Sequence, residues 1–499
     1  MDLLHGLQNV LDFNVLLIIA AGVFTGIAIG SLPGLTATMG VAVLLPVTFG
    51  MTPLTGLLLL IGVYFGGVFG GSITSILLNT PGTPAAAATA LDGYPMTRRG
   101  DADRAMVIAV VSSTIGGIIG TIILVLIAPQ LAGVALNFKS PETFALAFFG
   151  LSIIASVSGE SILKGIISAL IGLLISVVGL DPVTAQARFT FGMANLSSGI
   201  ALIPVLIGLF AAAEAFRMTS AEKRREAPKI NYRNLFKIVF DTLRDWVNII
   251  RSSIIGCLIG IIPGAGADIA AFVSYNESKR WTRKKSKWKF GEGRGEGVVA
   301  PEAANNSLTA GAFVPLLTLG IPGDAVAAVM LGALIIQGIR PGPQIFESSS
   351  ELVYSLFSGM FVAYVFLFII GLLGIKLFLK ILDVPKSWLA PVILSLCVVG
   401  SFAINNNIFD VYVMLGTAIL GYVLIKLKIP VSPIILALIL GPMAESEFRR
   451  SLSISDGSYT IFLQSPIAMT LIIFGLASFF LPLIKSIFFN KNKTKTNEV

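Results

Sequence analysis

"GSLPGLTATMG" (Gly30–Gly40) interrupts a run of sequence that otherwise reads as membrane-spanning. Proline lacks a backbone N–H and its ring clashes with the preceding turn, so Pro33-Gly34 predicts the end of a helix. Outward from this stretch the chain keeps its apolar character. Over 499 residues, 55% are hydrophobic, 12% are charged and mean hydropathy is +0.88. A soluble domain carries about 25% charged residues. Apolar runs of roughly 20 residues, such as Met106–Ala128, recur along the whole length, as transmembrane helices require. The expected fold class is an all-α polytopic membrane protein. Non-helical backbone at membrane depth then has to be satisfied by protein or by a water-filled cavity.

The formal charge of +8 is concentrated in a few loops, as the positive-inside rule asks of cytoplasmic segments, and is no nucleic-acid signal. Cys257 and Cys397 lie in apolar runs and read as packing residues rather than a disulfide or metal pair. His5 is the single histidine, so no histidine-based metal centre is expected. No Lys or Arg precedes Arg98, so the start lacks the basic region of a secretory signal, and Asn14 onward is read as membrane structure. No GxxxxGK[ST] nucleotide loop occurs, which argues against ATP hydrolysis. The GxG pattern in "GEGRGEG" follows a lysine-rich loop and no strand, and carries no weight as a dinucleotide site. That lysine loop reads as an orientation signal in preference to a lipid site.

The opening stretch has a counterpart, "GIIPGAGADIAAF" (Gly260–Phe272). A second pair follows, "LLNTPGTPAAAATA" with Pro81-Gly82 and "LLTLGIPGDAVAAV" with Pro322-Gly323. The first pair is separated by 230 positions and the second by 241. This period is too long for a solenoid and indicates two related halves. The divisions expected are a first membrane repeat over 1–217, a basic cytoplasmic linker over 218–244, a second membrane repeat over 245–485 and a cytoplasmic tail over 486–499.

Charge predicts how the halves are oriented. After the first Pro-Gly of the N-terminal half, "FGMTPLTG" is uncharged, whereas the loop after the second holds Arg98, Arg99 and Arg104. The C-terminal half reverses this: "ESKRWTRKKSKWKFGEGRGE" is strongly basic and "GIRPGPQIFESSSE" is not. Corresponding loops then lie on opposite sides, which is an inverted-topology repeat. Asp245–Tyr275 has basic sequence on both sides, so it enters and leaves from the cytoplasm. As one helix it would run about 46 Å, too long for one span and too short for two. A re-entrant hairpin with its tip at Pro263-Gly264 fits, and by inversion Asn14–Thr48 is a hairpin from the outer side. Five crossings follow in the first half and six in the second, roughly 11–12 in all, with the span at Pro430–Gly441 the least defined.

Half-helix N-termini at such breaks offer free N–H groups and a positive dipole end, suited to a carboxylate. The candidates are the N–H groups of Gly34, Leu35 and Thr36, those of Gly264, Ala265 and Gly266, and the breaks at Gly82 and Gly323. The hydroxyls of Thr36, Thr38, Thr80 and Thr83 and the amide of Asn79 would add polar contacts, although a membrane Thr commonly bonds its own backbone. Carbonyls at Leu32 or Ile262 would serve a cation instead. Intramembrane carboxylates are costly and usually functional. Asp268 and Asp324 each follow a Pro-Gly break, as cation-coupling residues or as simple helix caps. Glu302, Asn305 and Asn306 in "APEAANNS" are candidates for a cation or substrate contact, or an interfacial helix start.

Five motifs together resemble one family: "GSLPGLTATMGVAVLLP", "GGSITSILLNTPGTPAAAATALDGYPM", "GIIPGAGADIAAFVSY", "GEGVVAPEAANNS" and "LLTLGIPGDAVAAVMLGAL". They look like the large permease subunit of tripartite tricarboxylate transporters, the TctA family, over nearly the whole chain. The resemblance implies a multi-pass protein of the bacterial inner membrane that imports citrate or other carboxylates. It also implies a Na⁺ or H⁺ gradient as driving force, with no enzymatic activity and no cofactor. The implied partners are a small membrane subunit (TctB-like) and a periplasmic solute-binding protein (TctC-like), the latter setting substrate choice. Two other readings stand beside it. Asp268 and Asp324 would form the dyad of an intramembrane aspartyl protease, or the chain would be a passive anion channel.

Overall fold

Residues 2–157, 161–181, 184–218, 235–282, 287–381 and 386–495 are described by a computed structural model. Most of the linker (219–234) and the last four residues of the tail lie outside the described residues. The described chain is overwhelmingly α-helical. Six helices among the described residues are long and apolar enough to cross a membrane: Phe13–Ser31, Pro53–Leu78, Ala102–Ala135, Ser350–Leu373, Trp388–Asn405 and Ile408–Lys426. The departure from helix is a two-stranded antiparallel ribbon, Gly179–Leu180 against Ala187–Arg188.

The helices stop where Pro-Gly predicts. Phe13–Ser31 ends and Ala37–Leu44 begins on either side of the first tip, and Trp246–Ile261 ends and Ala267–Trp281 begins around the second. Both tips follow one backbone path. Leu32 and Ile262 are extended, with φ/ψ of −85/118° and −81/117°. Gly34 and Gly264 then take φ of 90° and 82°, a region open to residues without a Cβ. The second breaks also match: Pro53–Leu78 ends on left-handed Asn79, and Glu296–Leu319 on left-handed Gly320. Short helices follow, Pro84–Ala86 and Ala87–Arg98 in one case and Ala325–Ile336 in the other.

Small residues let these elements approach to backbone contact, the usual device where lipid removes the hydrophobic drive between helices. Gly22, Gly26 and Gly30 face Gly62, Gly66 and Gly70, and a Cβ on Gly26 would collide with the carbonyl of Val63. The same collision recurs at Gly256 against Ala304. Likewise Gly30 meets Gly67 as Gly260 meets Leu308, and Gly82 meets Gly30 as Gly323 meets Gly260. Every one of these pairs is displaced by the 230 and 241 positions of the motifs, so the sequence repeat is also a repeat of contacts.

The two helices at the centre carry the core. Every residue from Gly297 to Thr318 is buried, and Gly56–Leu77 is buried throughout apart from Leu59. Around them the halves interlock. Leu202–Leu206, Ile207–Ala212 and Ala213–Arg217 close the N-terminal half but pack on Ile408–Lys426 of the other. Ser432–Ile454, a full helix where Pro430–Gly441 left the span undefined, packs on Ser140–Val157 and Ile162–Ser176.

Loops meet crosswise as well. Gln337 Nε2 donates to the carbonyl of Thr48 at 3.0 Å, joining the loop after the first break of one half to that after the second break of the other. The other pair meets through Asp92 and Arg99. Asp92 Oδ1 accepts from the backbone N–H groups of Gly291, Gly293 and Arg294 (3.0, 2.8 and 2.7 Å), and Oδ2 accepts from Tyr275 Oη at 2.8 Å. The Arg99 guanidinium stacks 3.9 Å over the Trp288 ring and donates to the carbonyls of Glu292 and Gly293. Three features were not anticipated: a helix over Asp2–Val10, a helix over Leu235–Leu243 inside the linker, and continuation of Pro466–Lys495 past position 485.

Candidate functional site

Buried polarity concentrates where the two central helices touch. Glu302 is fully buried and its carboxylate is ringed by hydroxyls from three other helices. Ser72 Oγ donates to Oε1 at 2.5 Å, Thr89 Oγ1 donates to the same oxygen, and Ser113 Oγ donates to Oε2 at 2.7 Å. One turn on, Asn306 Nδ2 donates to Asn305 Oδ1 at 2.7 Å and to the Glu302 carbonyl at 3.3 Å. Asn305 Nδ2 and Asn306 Oδ1 are buried without a hydrogen-bond partner. No basic side chain among the described residues pairs with Glu302.

Asp324 is the N-cap of Ala325–Ile336: its Oδ1 accepts from the Ala327 N–H at 2.7 Å. Its Oδ2 accepts from Tyr64 Oη at 2.5 Å, across from the other half. A capping role is therefore realised, yet the carboxylate is almost wholly buried and has no cationic partner among the described residues. Asp268 lies in the first turn of Ala267–Trp281, half-buried and within electrostatic reach of Asp324. The two share no hydrogen bond, which does not favour a proton-sharing dyad.

At the tips, three of the six N–H groups offered as free donors are engaged. Leu35 donates to Leu32 O, Ala265 to Ile262 O, and Gly264 to Gly323 O, the last at 2.8 Å. The N–H groups of Gly34, Thr36 and Gly266 have no protein acceptor among the described residues. Thr36 Oγ1 caps its helix by accepting from Met39 N–H, and Thr80 Oγ1 bonds the carbonyl of Leu78. Thr38 is buried, Asn79 is exposed, and Thr83 Oγ1 is buried with no partner. Gly82 and Gly323 allow chain approach: a Cβ on either would strike a backbone carbonyl of its own hairpin.

The tips converge. The helix after the first, Ala37–Leu44, packs on Ala325–Ile336, and the helix after the second, Ala267–Trp281, packs on Pro84–Ala86. Sequence reasoning missed Tyr64, Ser72, Thr89 and Ser113, the partners of the two buried acids. The signal at Ser113 is the polar triplet Ser112–Thr114 inside an apolar run. Tyr64 and Ser72 sit in the glycine-rich run ending in "GGSITS", with nothing local to mark them. Arg217 was also missed: its Nη2 would lie 3.3 Å from a Cβ placed on Gly34, and it pairs with Glu214 at 2.5 Å.

A family profile described as the tripartite tricarboxylate transporter TctA family matches residues 16–436. An uncharacterized 52.8 kDa protein in the TAR-I ttuC' 3' region of Agrobacterium vitis is 40% identical, across 96% of this chain and 95% of that relative. An uncharacterized protein in the TAR-II ttuC' 3' region of the same organism is 41% identical over 46% of this chain and 95% of its own length. No solved structure matches. With the glycine-paired broken helices and the buried acids at their junction, a profile spanning residues 16–436 and a full-length relative establish the family: the chain belongs to the tripartite tricarboxylate transporter TctA family.

Proposed function

We propose that this chain is the large permease subunit of a binding-protein-dependent secondary transporter. It imports citrate or a related carboxylate across the bacterial inner membrane, driven by a Na⁺ or H⁺ gradient. It works with a TctB-like small membrane subunit and a TctC-like periplasmic binding protein. Residues 1–217 and 245–485 form two repeats of inverted topology, joined by the cytoplasmic linker 218–244 and followed by the tail 486–499. The crosswise meeting of loops supports this reading, because a two-fold axis in the membrane plane brings together the loop after the first break of one repeat and that after the second break of the other.

The Glu302 carboxylate carries the coupling argument. An ionised carboxylate taken out of water costs several kcal/mol even after relaxation, and among the described residues the groups that offset this cost are neutral, the hydroxyls of Ser72, Thr89 and Ser113 among them. A proton or a bound cation completes the neutralisation. Asn306 Oδ1, buried without a donor, is a further oxygen for a cation. Asp324 and Asp268, at the second tip, offer the cation a further pair of carboxylates. Substrate sits at the first tip, on the unengaged N–H groups of Gly34 and Thr36 and the hydroxyls around them.

The test is uptake of labelled citrate, succinate and pyruvate into cells expressing the chain with both partner subunits. Each assay is run with and without a sodium or a proton ionophore, alongside Asp324→Asn and Glu302→Gln. Accumulation that collapses with one ionophore and with either variant is the expected result, and the ionophore identifies the ion. Uptake that equilibrates without ever concentrating solute would replace the transporter with a passive channel.

A further inference from the structure

The two tips share a backbone path but not a chemistry. Residues that correspond through the 230- and 241-residue offsets differ in a consistent sense. Thr36, Thr38 and Thr83 in the N-terminal half stand where Gly266, Asp268 and Asp324 stand in the other. One tip is therefore lined by hydroxyls and the other by two acids.

A guanidinium accentuates the contrast. The atoms that a Cβ on Gly34 would meet within 4 Å are Arg217 Nη2 and Glu214 Oε1, at 3.3 and 3.7 Å. The matching space beside Gly264 holds the apolar Leu436 Cδ1 at 3.2 Å. Arg217 ends Ala213–Arg217, a helix from outside the hairpin, and Glu214 holds one of its nitrogens. A guanidinium has five donors in a planar fork. The remaining donors of Arg217 meet no acceptor among the described residues, and half of its side-chain surface is exposed. Beside it, the N–H groups of Gly34 and Thr36 are also unengaged.

Resting on the transporter reading above, we propose that the two tips have divided the cargo by charge. The first tip receives the carboxylate of an organic acid, with Arg217 as its guanidinium partner, and the second, with Asp268 and Asp324, receives the cation. Glu214 acts as a positioning residue that fixes the fork. A carboxylate placed on Arg217 takes two parallel N–H bonds, a geometry that an ammonium does not reproduce. At the other tip the two acids attract a cation and repel the anion, so each cargo is refused by the wrong site.

The test measures citrate, succinate and pyruvate uptake by the full chain with its partner subunits. Carboxylate KM is determined at saturating cation, and the half-saturating cation concentration at saturating carboxylate. Arg217→Gln should raise the KM of the transported acid roughly 10- to 100-fold, the loss of a charge-assisted pair, and leave cation half-saturation within about twofold. Arg217→Lys should raise KM about 3- to 10-fold, since charge persists without the fork. Asp268→Asn should do the reverse, shifting cation half-saturation by about fivefold or more at near-native carboxylate KM. Membrane levels are followed by immunoblot. An unchanged KM in Arg217→Gln, or in Arg217→Lys where the Gln variant does not reach the membrane, overturns the assignment. Wild-type cells that concentrate none of the three acids would overturn the transporter reading and this inference together, whereas active wild type with indifferent Arg217 variants overturns this inference alone.

Discussion

Glu302 and Asp324 bring carboxyl groups into the interior, and neutral hydroxyls from the other half hold both: three at Glu302 and one at Asp324. Removing the Tyr64 hydroxyl leaves Asp324 Oδ2 without its donor. A hydrogen bond to a charged group contributes about 1.5–3 kcal/mol, so Tyr64→Phe should melt several degrees lower in detergent and lose most concentrative uptake. Glu302→Gln keeps the shape but not the charge, and its accumulation ratio should fall to about 1, since nothing then neutralises a coupling ion there. A variant that still concentrates solute would remove Glu302 from the coupling path. The acids were legible in sequence because charge is rare at this depth. Their partners were not. Membrane Ser and Thr ordinarily bond their own helix, as Thr121 does to Gly117 O, and only the fold shows that Ser72, Thr89 and Ser113 turn elsewhere. The tips were over-read for a similar reason: a Pro-Gly break predicts free N–H groups, but Gly264 spends its own on Gly323 O.

At the scale of elements, the paired glycine stripes hold each hairpin against its central helix. Gly66 has the carbonyl oxygen of Val23 and the amide nitrogen of Ile27 where a Cβ would stand, and both atoms belong to backbone that cannot yield. Gly66→Val should destabilise by about 3 kcal/mol or more through overpacking, seen as loss of folded protein on size-exclusion chromatography. Gly50→Ala meets open space and should behave as wild type. Gly34→Ala forces a Cβ into left-handed backbone, costing about 1–2 kcal/mol, so it should remain folded but transport poorly. Helix breaks were readable because proline acts locally. The helix Asp2–Val10 was not, since its meaning lies in a distant surface: a Cβ on Gly6 would collide with the Tyr354 backbone, and Asn9 Nδ2 donates to Glu351 at 2.9 Å.

For the whole molecule, the arrangement of loops makes orientation measurable. Both native cysteines are buried, so an impermeant maleimide has little background. In spheroplasts, Gly50→Cys and Ser348→Cys should label directly, while Arg98→Cys and Lys289→Cys should label only after the membrane is opened. Labelling of all four from one side would rule out the inversion. The inversion is expected from charge alone, because basic loops report their side of the membrane. Interlocking was not visible: that Ala213–Arg217 and Ser432–Ile454 each leave their own half depends on packing between apolar surfaces that all look alike in sequence.

The bonds that cross between halves bear on how the protein can be made. Tyr64 completes Asp324, and Ser72, Thr89 and Ser113 complete Glu302, so neither half alone has a satisfied interior. A gene cut within the 218–244 segment would encode two polypeptides that need each other as subunits do. Produced singly, each should be cleared by membrane proteolysis; produced together, they should co-purify and restore uptake. Covalent continuity would then be a convenience of synthesis, with the buried bonds themselves serving as the assembly code.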